Sequence, residues 1–452
     1  MRVLRVVGTT LLVVNVAAAS GSDASRSDLE IRRHCSFSDV RRLKIESGAL
    51  VATTATGSVL TLRPVDLERA FRRPSAAPPS VVGWCQGAAS STTSAVSLST
   101  EQVAGFPVSA VGVSHGRRLV ATFGGGLFRA GADPVAGSPS WISDLATVGR
   151  LLVLAHPGGL SLYDGFEVRS IRLPGPPGTN VSALAAQDGV LWAGYFDNGL
   201  ARLEDGAWVE VDSGDRPRGR WINAIHFDGA ALWVGSGAGL GRWDEVSARV
   251  EPVAGVGGSV QAIRGDQGRL VVTTGSAVWL QSAAGWDSIE LPGEALHTAF
   301  VHQDVLWAAG MRGVLRRTSG RWQRFSELND KLPDSWVTAL EPVGRRVWVG
   351  TYDAGLHSID GDETASPLAD DVWVNPNAVS EWQRRVAVGT MGDGLLLHRR
   401  DGARLERISS DHGLPSDDVT ALLAVGDTLW VGTRAGLVEI RAMSCWPRCR
   451  SQ

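Results

Sequence analysis

The stretch Leu429-Trp-Val-Gly-Thr-Arg-Ala-Gly-Leu437 decides the fold, because the chain repeats it almost verbatim. Close copies occupy residues 191–200, 232–240 and 347–356, and weaker copies begin at Leu50, Leu119, Leu151, Leu270, Leu306 and Val386. Ten copies at intervals of about forty residues are typical of a repeat architecture in which each copy is one structural unit. We therefore expect function on a surface that the repeats build together.

Each unit reads as a set of short strands joined by tight turns. In the last copy, an apolar run over 419–425 precedes the quoted stretch, and most copies add a fourth run that opens with Gly, as over 206–211, 285–290 and 320–325. Four antiparallel strands in about forty residues form one blade of a β-propeller. The sequence predicts an all-β fold, a single β-propeller of about nine to ten four-stranded blades. A smaller ring with misread weak copies is the alternative.

The two ends of the repeat region predict how the propeller closes. The last copy has no fourth strand of its own, while residues 28–33 alternate in strand fashion ahead of the first blade. Pairing this segment with the last blade would close the ring and remove an exposed edge. The propeller then spans 28–441, with repeats from about residue 38 and a loop insertion at about 72–105, where Pro, Ser, Ala and Thr are frequent.

Two residue types in the repeat have structural interpretations. Gly precedes the final Leu or Val in eight copies, as a turn with positive φ requires; these are Gly126, Gly159, Gly199, Gly239, Gly313, Gly355, Gly394 and Gly436. The repeated Trp is suited to fill the wedge between neighbouring sheets; it occurs at Trp192, Trp233, Trp307, Trp348 and Trp430.

The N-terminus and the charge bear on location. Residues 1–19 combine a basic start, a short apolar run and small residues before the expected cleavage point, which is typical of a secretory signal peptide. The chain of 452 residues carries a formal charge of −3, and removing 1–19 lowers it to −5, since two arginines and no acid are lost. We expect a periplasmic or extracellular bacterial protein with no stable membrane span and no nucleic-acid partner.

Export would favour oxidation of the four cysteines, Cys35, Cys85, Cys445 and Cys449. Cys35 follows the proposed closing strand, Cys85 lies in the insertion, and the other two lie in the C-terminal tail, 442–452. A bridge from Cys35 to a C-terminal cysteine would staple the closure and pair Cys85 with the tail. Cys35–Cys85 with Cys445–Cys449 is the competing arrangement.

The motif Gly413-Leu-Pro-Ser-Asp-Asp-Val-Thr-Ala-Leu-Leu423, followed by the stretch from Leu429, resembles the bacterial two-component regulator propeller repeat. Residues 331–340 with 347–356 form a second close match. The resemblance implies the periplasmic sensing half of a hybrid sensor kinase, a type of domain that commonly responds to oligosaccharides. After Ile440 we expect neither a kinase nor a membrane span, so a sensory role would need a separate membrane sensor as partner.

Catalytic motifs are not evident in the sequence. The nine histidines show no zinc-ligand spacing, and neither a Gly-x-Ser-x-Gly elbow nor a phosphate loop occurs. We expect no metal, no cofactor and no catalytic residues.

Ligand recognition is expected on the loops around the propeller channel. The turn after the second strand and the connection into each blade should open on one face, where aromatic rings and polar groups suit a sugar or peptide. The candidate residues are Tyr195, Phe196, Asp197, Trp221, Trp336, Tyr352, Asp353 and Arg434.

The function that these observations favour is an exported, non-catalytic module that binds a glycan or another envelope protein through its loop face. The alternative is an exported polysaccharide lyase or hydrolase on a propeller scaffold. That alternative requires acids, a histidine or a metal gathered at the channel mouth.

Overall fold

Alternation of apolar and polar side chains along each repeat produces short strands that pair through tight turns. A computed structural model describes residues 29–72, 82–84, 101–130, 132–171, 173–211, 221–266, 269–361, 365–369 and 372–442. Its strands form ten four-stranded antiparallel sheets, so the predicted all-β fold of about ten blades is confirmed. The helices of the described residues are α1 (Pro64–Arg72) and two 3₁₀ turns, Glu327–Asn329 and Ser410–His412.

The ten sheets are divided between two compact units, a division that the repeat pattern does not reveal. The first unit comprises His34–Gly178 and Asp205–Trp208, and the second comprises 29–33, Thr179–Glu204 and 209–442 of the described chain. Strand β1 (Leu29–His34) belongs to a sheet of the second unit. Within the described residues, the chain passes from the second unit into the first at His34, leaves it after Gly178, and re-enters it only for Asp205–Trp208.

Three sheets form the first unit. Their strands are β2 (Val40–Glu46), β3 (Ala49–Thr54), β4 (Val59–Leu62), β5 (Val82–Trp84), β6 (Gln102–Val103), β7 (Phe106–Ser114), β8 (Arg117–Thr122), β9 (Gly126–Arg129), β10 (Asp144–Val148), β11 (Leu151–His156), β12 (Gly159–Tyr163) and β13 (Val168–Ile171). The β10–β13 sheet packs against β2–β5 on one side and β6–β9 on the other. Leu67 and Phe71 of α1 are buried in the core that β2–β5 shares with β10–β13.

Seven sheets form the second unit, each numbered from its innermost strand outward. Their strands are β14 (Val181–Gln187), β15 (Val190–Tyr195), β16 (Gly199–Glu204), β17 (Ala207–Val211), β18 (Ile222–Phe227), β19 (Leu232–Ser236), β20 (Gly239–Asp244), β21 (Arg249–Pro252), β22 (Val260–Asp266), β23 (Arg269–Thr274), β24 (Ala277–Ser282), β25 (Gly285–Glu290), β26 (Leu296–His302), β27 (Val305–Gly310), β28 (Gly313–Thr318), β29 (Arg321–Phe325), β30 (Val337–Val343), β31 (Arg346–Thr351), β32 (Leu356–Ile359), β33 (Ser366–Ala369), β34 (Val374–Trp382), β35 (Arg385–Thr390), β36 (Leu395–Arg399), β37 (Arg404–Ile408), β38 (Val419–Val425), β39 (Thr428–Thr433) and β40 (Gly436–Ala442).

The inner strands of the second unit contact one another in a cycle. The order is β14, β18, β22, β26, β30, β34 and β38, and β38 then contacts β14 again. The Thr420 hydroxyl of β38 donates a hydrogen bond to the Val181 carbonyl of β14, which closes the cycle. The second unit is therefore a ring of seven sheets. The ring contains seven sheets and not ten because three sheets belong to the first unit. The weak copies were not misread.

The predicted pairing of the N-terminal strand with the last sheet is confirmed. That sheet has the order β1-β40-β39-β38, so β1 supplies the outer strand that the last repeat lacks. The guanidinium of Arg33 is buried and donates hydrogen bonds to the carbonyls of Gly413 and Leu414, the latter at 3.1 Å. These bonds fix β1 to the loop that precedes β38.

The structural interpretations of Gly and Trp are also confirmed. All eight predicted glycines have positive φ, for example 81° at Gly394. An added Cβ at Gly394 would lie 2.3 Å from the Ile408 carbonyl oxygen, so Gly is required there. Four of the five repeated tryptophans are buried, and Trp430 is half-buried. The ring of Trp348, for example, meets that of His398 in the next sheet edge-on, with 5.9 Å between the ring centroids.

Three predictions concern segments that lie partly or wholly outside the described residues. The expected insertion at about 72–105 contains β5 and β6 and follows α1, which the sequence analysis did not predict. Most of the remaining insertion, the signal-peptide segment 1–19, Cys85, Cys445 and Cys449 lie outside the described residues. Cys35 is buried in the first unit. The cysteine pairing therefore stays a prediction.

Candidate functional site

In six of the seven sheets of the second unit, the loops meet at two positions, the residue before the inner strand and the residue after the second strand. A backbone N–H of the second position donates to the carbonyl of the first, as from Tyr352 to Trp336 at 2.9 Å. The same bond joins Phe196 to Asn180, Gly237 to Trp221, Met311 to Ala295, Met391 to Trp373, and Arg434 to Asp418. We call these residues rim positions, because they begin the inner strands and so surround the ring axis.

The largest aromatic group on this rim spans two neighbouring sheets. The rings of Trp336 and Tyr352 are stacked at 4.4 Å between centroids, and those of Tyr352 and Trp373 at 5.7 Å, with interplanar angles of 18° and 12°. Trp336 is 39% exposed and Trp373 is 48% exposed. Tyr352 lies between them and is half-buried. We call this group, together with the exposed Asp353, the Tyr352 platform.

Asp334 holds the loops of the Tyr352 platform together. One oxygen of its carboxylate accepts the Trp336 N–H at 2.7 Å, and the other accepts the Asp353 N–H at 2.9 Å. A single side chain thus joins the loop before β30 to the turn after β31. Both carboxylate oxygens of Asp334 thus accept hydrogen bonds from backbone N–H groups, as is common for Asp in turns.

A second aromatic pair uses the same construction at another boundary between sheets. The rings of Phe196, after β15, and Trp221, before β18, lie 6.4 Å apart with planes within 2° of parallel. Phe196 is 55% exposed and Trp221 is 46% exposed. Asp197 follows Phe196 and is exposed, just as Asp353 follows Tyr352. These three residues form the Phe196 platform.

Tyr195 is a correction to the predicted rim, because its side chain is completely buried. It is the last residue of β15 and pairs with Val181 and Gly199. In five other repeats of the second unit this strand position holds a small buried polar residue, Ser236, Thr274, Thr351, Thr390 or Thr433. Burial also raises the pKa of the Tyr195 hydroxyl. Tyr195 is therefore a core residue and not a ligand contact.

Arg434 lies on the rim but is engaged in an ion pair. Its guanidinium contacts the Asp418 carboxylate, which also accepts a hydrogen bond from the Asn375 amide at 2.8 Å. The guanidinium remains well exposed. The structure thus places Arg434 in a polar cluster separate from the aromatic stacks.

Trp373 is the site residue that sequence reasoning missed. It directly precedes the Val that opens β34, as Trp336 precedes Val337 and Trp221 precedes Ile222. The shared signal is Trp before the first β-branched residue of an inner strand. The copy at Trp373 lacks the Leu-Pro-Asp sequence that marks Trp336, so the similarity is visible only when inner strands are aligned.

Below the rim, side chains cross the ring between inner strands that are not neighbours. Arg264 of β22 donates to the Leu340 carbonyl of β30 at 2.9 Å and pairs with Glu341 at 3.0 Å. Burial raises the pKa of Glu341, although Arg264 opposes the shift.

Across the described ranges, no group of three or more His, Cys, Asp or Glu side chains is placed to hold a metal ion. In the same part of the chain, no helix combines the length and apolar character needed to cross a bilayer.

The sequence matches no protein-family model and no curated protein. Among solved structures, PorZ, an essential surface component of the type IX secretion system of Porphyromonas gingivalis, is 15% identical with a TM-score of 0.54. The alignment covers 96% of this chain and 74% of PorZ. The similarity at this identity concerns the fold.

Two further structures are similar at a lower level. The extracellular domain of a putative hybrid two-component system from B. thetaiotaomicron is 15% identical with a TM-score of 0.49, and 94% of this chain and 60% of that chain are covered. Virginiamycin B lyase from Staphylococcus aureus is 13% identical with a TM-score of 0.49, and 58% of this chain and 95% of that chain are covered. The matching structures thus include propeller-like surface and extracellular domains.

Proposed function

We propose that this chain is an exported, non-catalytic recognition module that binds a glycan at the Tyr352 platform. The observation that supports this proposal is the stack of Trp336, Tyr352 and Trp373, whose outer rings are exposed beside the carboxylate of Asp353. Exposed aromatic rings that do not serve the core are typical of interaction sites.

The chemistry of the platform suits a sugar. Trp336 and Trp373 each stack with Tyr352 and remain partly exposed, so they are the rings on which a ligand can pack. The apolar face of a pyranose ring can pack on such a surface while a carboxylate accepts its hydroxyl groups. A rim that binds another envelope protein would use the same residues, and the experiment below separates the two.

Export completes the proposal. The signal-peptide pattern of residues 1–19 and the four cysteines favour a periplasmic or extracellular location with disulfide bonds.

The test is binding of the purified chain to a glycan array, followed by calorimetry on each glycan that binds. Trp373→Ala and Trp336→Ala should each weaken binding about tenfold or more. Loss of a buried aromatic contact costs about 1.5–3 kcal/mol, and 1.4 kcal/mol corresponds to a factor of ten.

The matched control is Trp322→Ala, which removes an exposed tryptophan from the outer strand β29 and should leave binding unchanged. Unchanged unfolding midpoints would show that all three variants are folded. A negative array, or binding that Trp336→Ala and Trp373→Ala both leave intact, would overturn the proposed site.

A further inference from the structure

The two platforms lie on nearly opposite sides of the seven-sheet ring. The Phe196 platform joins the β14–β17 sheet to the β18–β21 sheet, and the Tyr352 platform joins the β30–β33 sheet to the β34–β37 sheet. Four sheets separate the two boundaries in one direction and three in the other. Because neighbouring sheets pack about 10 Å apart, a ring of seven places the platforms on the order of 20 Å apart.

Small residues occupy most of the rim between the platforms on one side. Gly237 is a rim position of the β18–β21 sheet. In the β22–β25 sheet, Ser259 precedes the inner strand and Gly275 follows the second strand, and an added Cβ at Gly275 would meet open space. Ala295 and the exposed Met311 follow on the next sheet. Of these five residues, Met311 alone has a large side chain that could obstruct an extended ligand.

Both platforms carry an exposed carboxylate at the same place. Asp197 follows Phe196, and Asp353 follows Tyr352, each one residue beyond the stacked ring. A carboxylate accepts hydrogen bonds from hydroxyl groups and attracts ammonium groups, but it repels another carboxylate. The repeated arrangement thus favours uncharged or amino sugars over acidic ones at both platforms.

We infer that the two platforms together bind one linear oligosaccharide of neutral or amino sugars that spans the ring mouth. This inference rests on the proposed function and adds the length and charge of the ligand. A chain that reaches both platforms gains affinity because its second contact is intramolecular. A fragment that is too short binds each platform separately.

The experiment is calorimetry on the full chain with β-1,4-linked oligomers of glucose and of N-acetylglucosamine, the N-deacetylated form of the latter, and oligogalacturonate, each of two and eight units. We expect the neutral and amino octamers to bind one per chain, at least tenfold more tightly than the dimers, and the dimers to bind two per chain. Trp221→Ala and Trp373→Ala should each lower octamer affinity to that of the dimer. Each variant should leave one dimer site.

Separate variants test whether the platforms select oligosaccharides by charge. Octagalacturonate should bind at least tenfold more weakly than the neutral octamers, and Asp197→Asn with Asp353→Asn should reduce that difference. These substitutions keep side-chain size, so a change in selectivity without a change in neutral binding reports the carboxylates.

The opposing outcomes are distinct. Two octamers per chain with dimer-like affinity, or octamer binding that Trp221→Ala leaves unchanged, would show independent or single platforms and overturn this inference while glycan binding stands. No binding of any neutral or amino oligomer also overturns it. The proposed function fails only if the wider array is negative as well.

Discussion

Tyr195 and Tyr352 show how one position along a strand decides between core and surface. Tyr195 ends β15 at the position that Thr351 occupies in its own repeat, whereas Tyr352 is the next residue and lies in the turn. Side chains on a strand alternate between faces, so a shift of one residue moves a ring from the sheet interface to the rim. The sequence identifies the aromatic residues, and the strand end decides which of them can meet a ligand.

His156 is a residue whose burial has a measurable consequence in the first unit. Its Nδ1 accepts the Gly158 N–H at 3.1 Å, and its Nε2 bonds the Ser161 hydroxyl at 2.9 Å. Because Nδ1 already accepts a hydrogen bond, a proton on Nδ1 would point at the Gly158 N–H, and two donors would face each other. Burial lowers the pKa of His156 to about 4.

We predict that the first unit loses stability as the pH falls from about 6.5 to about 4. In that window the unfolded chain binds a proton that the folded unit does not, so stability rises with pH and is fully present above about 6.5. The expected loss is about 3 kcal/mol, from 1.36 kcal/mol per pKa unit. Denaturant titrations at several pH values measure it. An equal pH dependence in His156→Gln would contradict the assignment.

At the scale of elements, residues at a β-bulge near the start of five of the seven inner strands link neighbouring sheets of the second unit. Val337 pairs with Thr351 and Ala339 with Gly350, so Thr338 is an extra residue, and the same shift recurs in other inner strands. Bulges re-aim side chains. The extra residues that bond the first carbonyl of the next inner strand are Ser182, Asn223, His297, Asn375 and Thr420.

Asn375 carries the most bonds of this kind. Its amide donates to the carbonyls of Thr390 at 3.0 Å and Val419 at 2.7 Å and to the Asp418 carboxylate. Asn223 donates only to the Val260 carbonyl at 2.8 Å among the bonds described. The two residues therefore form a matched pair for testing the links between sheets.

We predict that Asn375→Ala lowers the free energy of unfolding of the second unit by about 2 kcal/mol, because a buried donor to several acceptors is lost. Asn223→Ala should cost about 1 kcal/mol. Urea unfolding of both variants measures the difference. Equal effects of the two substitutions would mean that the bond count does not determine the cost.

At the scale of the whole chain, closure depends on a strand far from its partner in sequence. β1 completes the sheet of β38–β40, and its buried Arg33 bonds the carbonyls of Gly413 and Leu414. Arg32 lies 3.8 Å from Glu439 and is more exposed. The two neighbouring arginines thus differ in burial and in the kind of partner.

We predict that Arg33→Ala destabilises the second unit by about 2 kcal/mol or more, because hydrogen bonds from a charged group to two carbonyls are removed. Arg32→Ala should cost about 0–1 kcal/mol, as for other half-exposed ion pairs. Thermal unfolding and limited proteolysis near residue 29 measure the loss of closure. Similar melting temperatures for both variants would argue against the role of Arg33.

Much of the fold could be predicted from the sequence. Strand positions, the ten sheets, the closing strand and the Gly and Trp roles follow from signals within a few residues, namely alternation, turn glycines and a missing last strand. Of the candidate site, Phe196, Trp221, Trp336 and Tyr352 lie on the rim as aromatic residues. The prediction that Tyr195 lies on the rim was wrong, and Trp373 was not predicted. Exposure of these side chains depends on where the strand ends and on the neighbouring sheet.

The sequence by itself determined the strands of each repeat, since alternating residues and tight turns within one repeat specify where its strands begin and end. Only the tertiary structure decided that seven sheets close on themselves while three form another unit. Closure depends on contacts such as Thr420 to Val181, 239 residues apart, and on the angles that accumulate between packed sheets. The total of these angles cannot be read from any local sequence pattern. The same total also decides which aromatic rings stack on the rim.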